Sequence, residues 1–159
     1  MRTTVHKEIK RFIRFLKWAI PYHGAGIILY HKDEEGLIRV LLGRRATRPG
    51  IGRWSVPGGG YEAKDGRIDG KRDLKAAAIR ETREEISVEV KECSKIWSMH
   101  VIIFHWELFC AESEDMAIPD YNWEFQVLRW LPLDDLPKDI LLFIRPQVKA
   151  LRRRLGSKR

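Results

Sequence analysis

The chain has 159 residues, 44% of them apolar and 33% charged, and its 30 Lys and Arg outnumber 22 Asp and Glu for a formal net charge of +8. That length suits one domain with a real core, and no apolar run approaches the roughly 18 residues of a membrane-spanning helix. Lys10, Arg11, Arg14 and Lys17 interrupt the apolar N-terminal residues, so no secretory signal is expected; Cys93 and Cys110 form no CxxC pattern and suggest no disulfide framework, which makes a cytoplasmic location the expectation.

The positive charge is concentrated at the two ends. Residues 1–17 carry six Lys/Arg and one Glu, and residues 151–159 carry five Lys/Arg and no acid, so the stretch between is slightly acidic. Basic ends are candidate contacts for RNA or an anionic membrane surface. Solvated faces and a basic tail are the simpler reading.

In chain order, residues 5–20 place Ile9, Phe12, Ile13 and Leu16 at helical spacing with Lys and Arg on the other face. A basic amphipathic helix is expected there, which makes residues 1–20 an N-terminal helical segment, packed on its own domain or lying on a membrane. Residues 24–30 and 38–42 are short β-rich runs joined by the turn "HKDEEG", a hairpin pattern. "TRPGIGRW" is a Gly/Pro loop. "WSVPGGGYEAKDGRIDGKRD" begins as a strand and becomes a long loop, rich in glycine and charge, over residues 61–73. A helix from Leu74 to Glu85 follows, with Asp73 as its N-cap and with Leu74, Ala77, Ala78, Ile79, Ile86 and the stem of Arg80 on the packed side. Residues 96–110 are expected as one long buried strand, "EFQVLRWLPL" as another, and Pro146 opens a last helix with Val148, Leu151 and Leu155 inward. Strands before, between and after helices imply an α/β domain over 21–155, a mixed sheet between helices, followed by a basic tail, 156–159.

The chemistry concentrates in "RETREEISV". Glu81, Glu84 and Glu85 stand at i, i+3 and i+4 and share one helix face. Three like charges repel one another unless a cation compensates. Arg80, four residues before Glu84, can hold one of them. A hard divalent ion, Mg²⁺ or Mn²⁺, compensates better. A solvated face is the alternative, but Gly58, Gly59 and Gly60 lie just upstream. A strand, a glycine elbow that exposes backbone amides and carbonyls, and a helix of clustered carboxylates thus occur in order.

Residues 58–88 resemble the signature of the Nudix (MutT-like) hydrolases, a glycine-rich loop followed by R-E-hydrophobic-x-E-E-x-G-hydrophobic. Arg80, Glu81, Glu84, Glu85 and Val88 match it, and the likeness extends over about residues 24–137. It implies the Nudix α/β/α sandwich and cleavage of a diphosphate linkage with Mg²⁺ or Mn²⁺. By resemblance, Glu81, Glu84 and Glu85, with the backbone carbonyl of Gly58, would bind metal, and Arg80 would orient Glu84. Glu124, in "WEFQVLRWLPL", would be a further ligand or the general base, a role the helical glutamates can also fill. Gly59, Gly60, Arg44 and Arg45 are candidate contacts for substrate phosphates. Trp54 and Trp97 are candidate platforms for a base, although aromatic residues in β-rich runs are more often core. His100 and His105 read as core groups.

The pattern also departs from the family. Ser87 replaces a preferred glycine, Thr82 stands at a usually aliphatic position, and the loop before Arg80 is long. The family's loop glutamate would fall near Arg72, and Asp69 and Glu62 are the candidates to replace it. The pattern E-x-Q-x-x-x-W from Glu124 to Trp130, followed by a proline turn, resembles the downstream segment of bacterial RNA pyrophosphohydrolases, dinucleoside tetraphosphate hydrolases and some nucleoside triphosphate pyrophosphohydrolases. That resemblance implies a nucleoside triphosphate or dinucleoside polyphosphate as substrate. ADP-ribose or a nucleotide sugar is the alternative, and a non-catalytic nucleotide- or RNA-binding module is another.

Overall fold

The computed structural model describes residues 21–156; the helix expected over 5–20 and the tail beyond Gly156 lie outside it. Nine strands and two α-helices make up the described chain, six strands before the first helix and three between the helices. They are β1 (Tyr22–Lys32), β2 (Ile38–Arg45), β3 (Trp54–Ser55), β4 (Gly58–Gly60), β5 (Arg67–Ile68), β6 (Lys71–Arg72), α1 (Leu74–Ile86), β7 (Ser94–Val101), β8 (Phe104–Glu112), β9 (Phe125–Pro132) and α2 (Ile144–Leu155).

Seven strands form one mixed sheet. Its path runs β3-β2-β1-β8-β7, with β4 added to β1 and β9 to β2. Among these strand pairs only β1 and β8 run parallel, Tyr22 opposite Phe104 through Tyr30 opposite Glu112. The hairpin expected at the start joins β1 to β2. β1 is the central strand, buried on both faces from Gly24 to Leu29. Its side chains alternate between two cores. Ala25, Ile27 and Leu29 meet Leu74, Ala78 and Ile86 of α1. Ile28 meets Leu108, Val148 and Leu151 on the α2 side. Burying each such Ile or Leu stabilises the fold by about 1.5–3 kcal/mol. The result is the α/β/α sandwich expected.

α1 starts where Asp73 accepts a hydrogen bond from the Ala76 amide at 3.0 Å. It ends at Ser87, whose φ of 55° is left-handed. That conformation is why glycine is preferred at this position; serine adopts it at a cost of about 1–2 kcal/mol. Thr82 is wholly buried, and its hydroxyl donates to the Ala78 carbonyl at 2.8 Å. The methyl therefore packs like an aliphatic group while the polar atom stays satisfied.

Where one strand is expected over 96–110, the chain makes two, β7 and β8, paired antiparallel from Ser94–Cys110 to Val101–Phe104. The turn falls at Ile102, which is 78% exposed with a φ of 45°. No Gly, Pro, Asn or Asp marks this turn, so composition hides it. The long 61–73 loop is also ordered: a 3-10 turn at Ala63–Asp65 leads into the small β5–β6 hairpin.

Candidate active site

One end of the sheet gathers the chemistry. The pairings β2–β9, β1–β2, β1–β8 and β7–β8 bring the C-terminal end of β2, the start of β1, the start of β8 and the start of β9 to the same edge. The β4 glycines lie over the start of β1, with Gly58, Gly59 and Gly60 opposite Gly26, Ala25 and Gly24. Gly58 is what this approach requires. A Cβ on Gly58 would stand 2.5 Å from the Ala25 carbonyl oxygen, and one on Gly59 would stand 2.5 Å from the Glu81 carboxyl.

Arg80 organises the acids. It is 7% exposed and uses every guanidinium nitrogen. Nε and Nη2 form a fork on Asp65 at 2.7 and 3.1 Å, Nη1 donates to Glu81 at 2.8 Å and Glu84 at 3.0 Å, and Nη2 also reaches the Gly60 carbonyl at 2.8 Å. Glu62 lies 3.5 Å from Nη1. The acid that locks the loop is thus Asp65, rather than the two acids that the sequence singles out. Of those, Asp69 sits in the β5–β6 turn with a φ of 50°, and Glu62 plays a lesser part. Burial alone would raise Asp65; the Arg80 guanidinium and the Glu62 amide outweigh it and hold the carboxyl below its usual range.

The three helical glutamates differ in setting. Burial pushes Glu84 up, but Arg80 and Lys64 outweigh that and lower it overall. Burial raises Glu81, with Arg80 opposing and Glu84 and Glu124 adding repulsion. Glu85 is 3% exposed and accepts the Gly58 amide at 2.9 Å. Burial first, then the nearby Glu124 and Glu81 carboxyls, push it up to about 8 against the pull of that amide. Tyr22 borders the same group: burial and Glu81 raise its hydroxyl, while Arg45 lowers it.

Glu124 comes from the turn just before β9. Its carbonyl accepts the Ala46 amide at 2.7 Å, and its own amide donates to Asn122 Oδ1 at 2.9 Å. Asn122 in turn donates its backbone amide to the Glu85 carbonyl at 2.8 Å and its side-chain amide to the Glu84 carbonyl at 3.3 Å. Asn122 therefore closes the end of α1 and sets Glu124 beside Glu85. Sequence reasoning misses it, although an Asn in a turn next to an acid is the available signal.

The arginine pair divides. A bulge in the β2–β9 register falls between Arg44 and Arg45. Arg45 lies close enough to Tyr22 to act on its hydroxyl, and its Nε is tied to the Pro49 carbonyl. Arg44 is bonded to the Gly52 carbonyl, opposite Trp54. Trp54 is 8% exposed in the α2-side core and offers no face to a base, and Trp97 is packed against the same core. Trp123 instead stands 75% exposed next to Glu124.

Comparisons with known proteins identify the family and the fold. The family model described as NUDIX domain matches residues 21–151. The chain belongs to the Nudix hydrolase family. An RNA pyrophosphohydrolase of Caulobacter vibrioides is 29% identical, with 82% of this chain and 84% of that one covered. A second, of Gluconacetobacter diazotrophicus, is 41% identical over 44% of this chain and 40% of its own length. Among solved structures, the NUDIX domain of Shewanella oneidensis NrtR complexed with ADP ribose matches with a TM-score of 0.69 at 19% identity, covering 86% of this chain and 90% of that one. The MutT NUDIX hydrolase of Burkholderia pseudomallei matches at 0.64 and 22%, covering 84% and 99%. At those identities the structures show the shared fold.

In this Nudix chain the donor set suits a hard divalent ion. Glu81, Glu85 and Glu124 crowd together, and Arg80, the cation that faces Glu81, is already saturated by its other partners. Among the described residues no three His, Cys, Asp or Glu side chains converge enough to hold an ion by themselves. An ion such as Mg²⁺, which keeps waters and takes substrate phosphate oxygens, does not need such a cage. A separate cavity of about 550 Å³ is lined by Leu29, Trp130 and the acids Glu89, Glu92, Glu112, Glu114 and Asp115, against one lysine, Lys91. Its acidic lining would repel a phosphate chain. No helix among the described residues is long and apolar enough to cross a membrane.

Proposed function

We propose that this chain is a Mg²⁺- or Mn²⁺-dependent pyrophosphohydrolase that cleaves the 5′-terminal polyphosphate of a nucleotide, with triphosphorylated RNA as its main substrate. The observation that carries the reading is Glu85: a buried carboxyl raised to about 8, set between the Gly58 amide and the carboxyls of Glu124 and Glu81. A carboxylate cluster whose nearest cation, Arg80, is shared among Asp65, Glu81 and Glu84, and which faces a glycine elbow, is suited to metal-bridged phosphates. The likeness to the Caulobacter RNA pyrophosphohydrolase over most of both chains supports RNA over ADP-ribose.

The residues divide the work. Glu81, Glu84 and Glu85 would hold the metal, with Gly58 beside Glu85. When bound, the metal supplies charge neutralisation for the phosphates and a water of lowered pKa. Arg80 keeps Glu84 and Glu81 in place through charge-assisted hydrogen bonds. Glu124 would accept a proton from the attacking water, a role its closeness to Glu85 supports. Arg45 and the amides of Gly59 and Gly60 would steady the phosphates.

Product analysis on a panel tests the substrate. It contains 5′-triphosphate RNA, nucleoside triphosphates, diadenosine tetraphosphate and ADP-ribose, with Mg²⁺ or Mn²⁺. Faster pyrophosphate release from the RNA supports the proposal. Preferential cleavage of ADP-ribose or of diadenosine tetraphosphate would replace it.

A further inference from the structure

Three of the four described histidines stand side by side on adjacent strands, at the edge of the sheet that carries the active site. His23 on β1 is opposite His105 on β8, and His105 is opposite His100 on β7. The ring centroids are 5.5 Å apart edge-to-face for His23–His105, and 5.0 Å apart and stacked for His100–His105. Registered partners share a face of the sheet. His23 alternates with Ala25 and Ile27, so the strip lies on the α1 side.

The strip touches the active-site scaffold. The His23 carbonyl accepts the Tyr61 amide at 2.7 Å, and Tyr61 follows Gly60, whose carbonyl Arg80 holds. Arg72 of the β5–β6 hairpin lies over the Tyr61 ring at 5.6 Å and acts on His23. Glu107 is the acid at the strip, 3.5 Å from His105 Nε2, and Lys95 neutralises it at 3.2 Å. His100 is exposed, and His105 and His23 are partly so. The stacked rings of His100 and His105 present faces to each other rather than nitrogens converging on one ion. Burial, Arg72 and the two other rings keep the His23 imidazole below its usual range, so a bound anion would relieve repulsion within the strip.

We infer that His23, His105 and His100, with Arg72 from the long loop, form a track for the phosphates of the RNA chain downstream of the cleaved 5′ end. This rests on the RNA reading above and deepens it. The 61–73 loop then serves to place Arg72 beside the strip. The track also gives a basis for preferring a polynucleotide over a single nucleotide. A bound phosphate favours imidazolium, so affinity rises as pH falls.

Binding of a short 5′-hydroxyl oligoribonucleotide, which has nothing to cleave, isolates the track. Fluorescence anisotropy would follow it at about pH 6 and about pH 8 across a salt series. For the wild type, tighter binding at the lower pH is expected. For the His23→Gln, His100→Gln, His105→Gln combination, a loss of about fivefold or more at the lower pH and a shallower salt slope are expected, since each lost phosphate contact removes roughly 0.7 from that slope. Arg72→Gln, at an exposed position, is expected to weaken binding at both pH values even if the triple variant fails to fold. His31→Gln, at the far end of β1, serves as the control and is expected to leave RNA binding unchanged. Equal binding by wild type, triple variant and Arg72→Gln would overturn the inference, as would inorganic tripolyphosphate competing as tightly as RNA. Histidine-dependent RNA binding without cleavage of 5′-triphosphate RNA would keep the track and remove the substrate proposal.

Discussion

Arg80 is the residue on which the site turns, and Asp65 is what fixes it. Both side chains are buried, and their fork leaves Nη1 free to hold Glu81 and Glu84. Asp65→Asn keeps the shape and removes the charge. Because Glu81 and Glu84 still face the guanidinium, a stability loss of about 2–4 kcal/mol is expected, near the lower end for breaking a buried pair. Turnover should fall by about 10–100-fold with little change in KM, as for partners that orient metal ligands. Denaturant melts and steady-state kinetics check both. Trp123 calls for a different outcome. It is exposed beside Glu124 and lies outside both hydrophobic cores. Trp123→Ala should leave the melting temperature within error and raise KM, since a base stacked on an aromatic ring contributes roughly 1–3 kcal/mol. An unchanged KM would assign the base elsewhere. Trp54 and Trp97, which the sequence offers as base platforms while favouring core positions for them, are indeed packed in and against the core; Trp123 is missed because composition cannot tell a ring facing the core from one facing water.

At the scale of elements, the glycine elbow separates fold from chemistry. Gly58 has a φ of 155° and meets backbone, so Gly58→Ala forces β4 away from β1. Gly59→Ala meets only the end of the Glu81 side chain, which can rotate away. The first substitution is expected to cost about 1–3 kcal/mol of stability. The second should leave stability nearly unchanged while cutting activity at least tenfold, because Glu81 is displaced from the site. Thermal melts and initial rates distinguish the two. α1 is legible in the sequence: Asp73, the apolar spacing and the acid triad agree at every level. The β7–β8 turn is not, because isoleucine at a left-handed position gives no compositional signal. Asp65 is hidden for a related reason. Its partner is fifteen residues away, and only the 3-10 turn at Ala63–Asp65 brings them together.

For the whole molecule, the alternation of strands and helices is enough to expect a mixed sheet between two helices, whereas the edge that gathers Glu124, Arg45, Tyr22 and the histidines emerges only from strand register. That edge couples pH to stability. Glu85 is raised from the ordinary carboxylate range to about 8 in the folded chain. Its contribution is therefore complete below the unfolded value and is lost as pH rises through about 8. Without divalent metal, the melting temperature should fall between about pH 5 and pH 9, and Glu85→Gln should flatten that slope. Metal competes with the proton, so Mg²⁺ should bind about tenfold more weakly for each pH unit below 8 and release a proton as it binds. Calorimetry at several pH values checks this.

The most direct measurement is Mg²⁺-dependent pyrophosphate release from 5′-triphosphate RNA by wild type and Glu85→Gln, with a thermal melt of each protein. A metal site at this cluster requires activity to fall about 10²-fold or more, since the bound ion accounts for several kcal/mol of the barrier. Melted without divalent metal near neutral pH, the variant should hold at or above the wild-type temperature, because its fold no longer has to take up a proton at this buried position. Retained activity in a folded Glu85→Gln protein would contradict the account, as would a loss that merely follows unfolding.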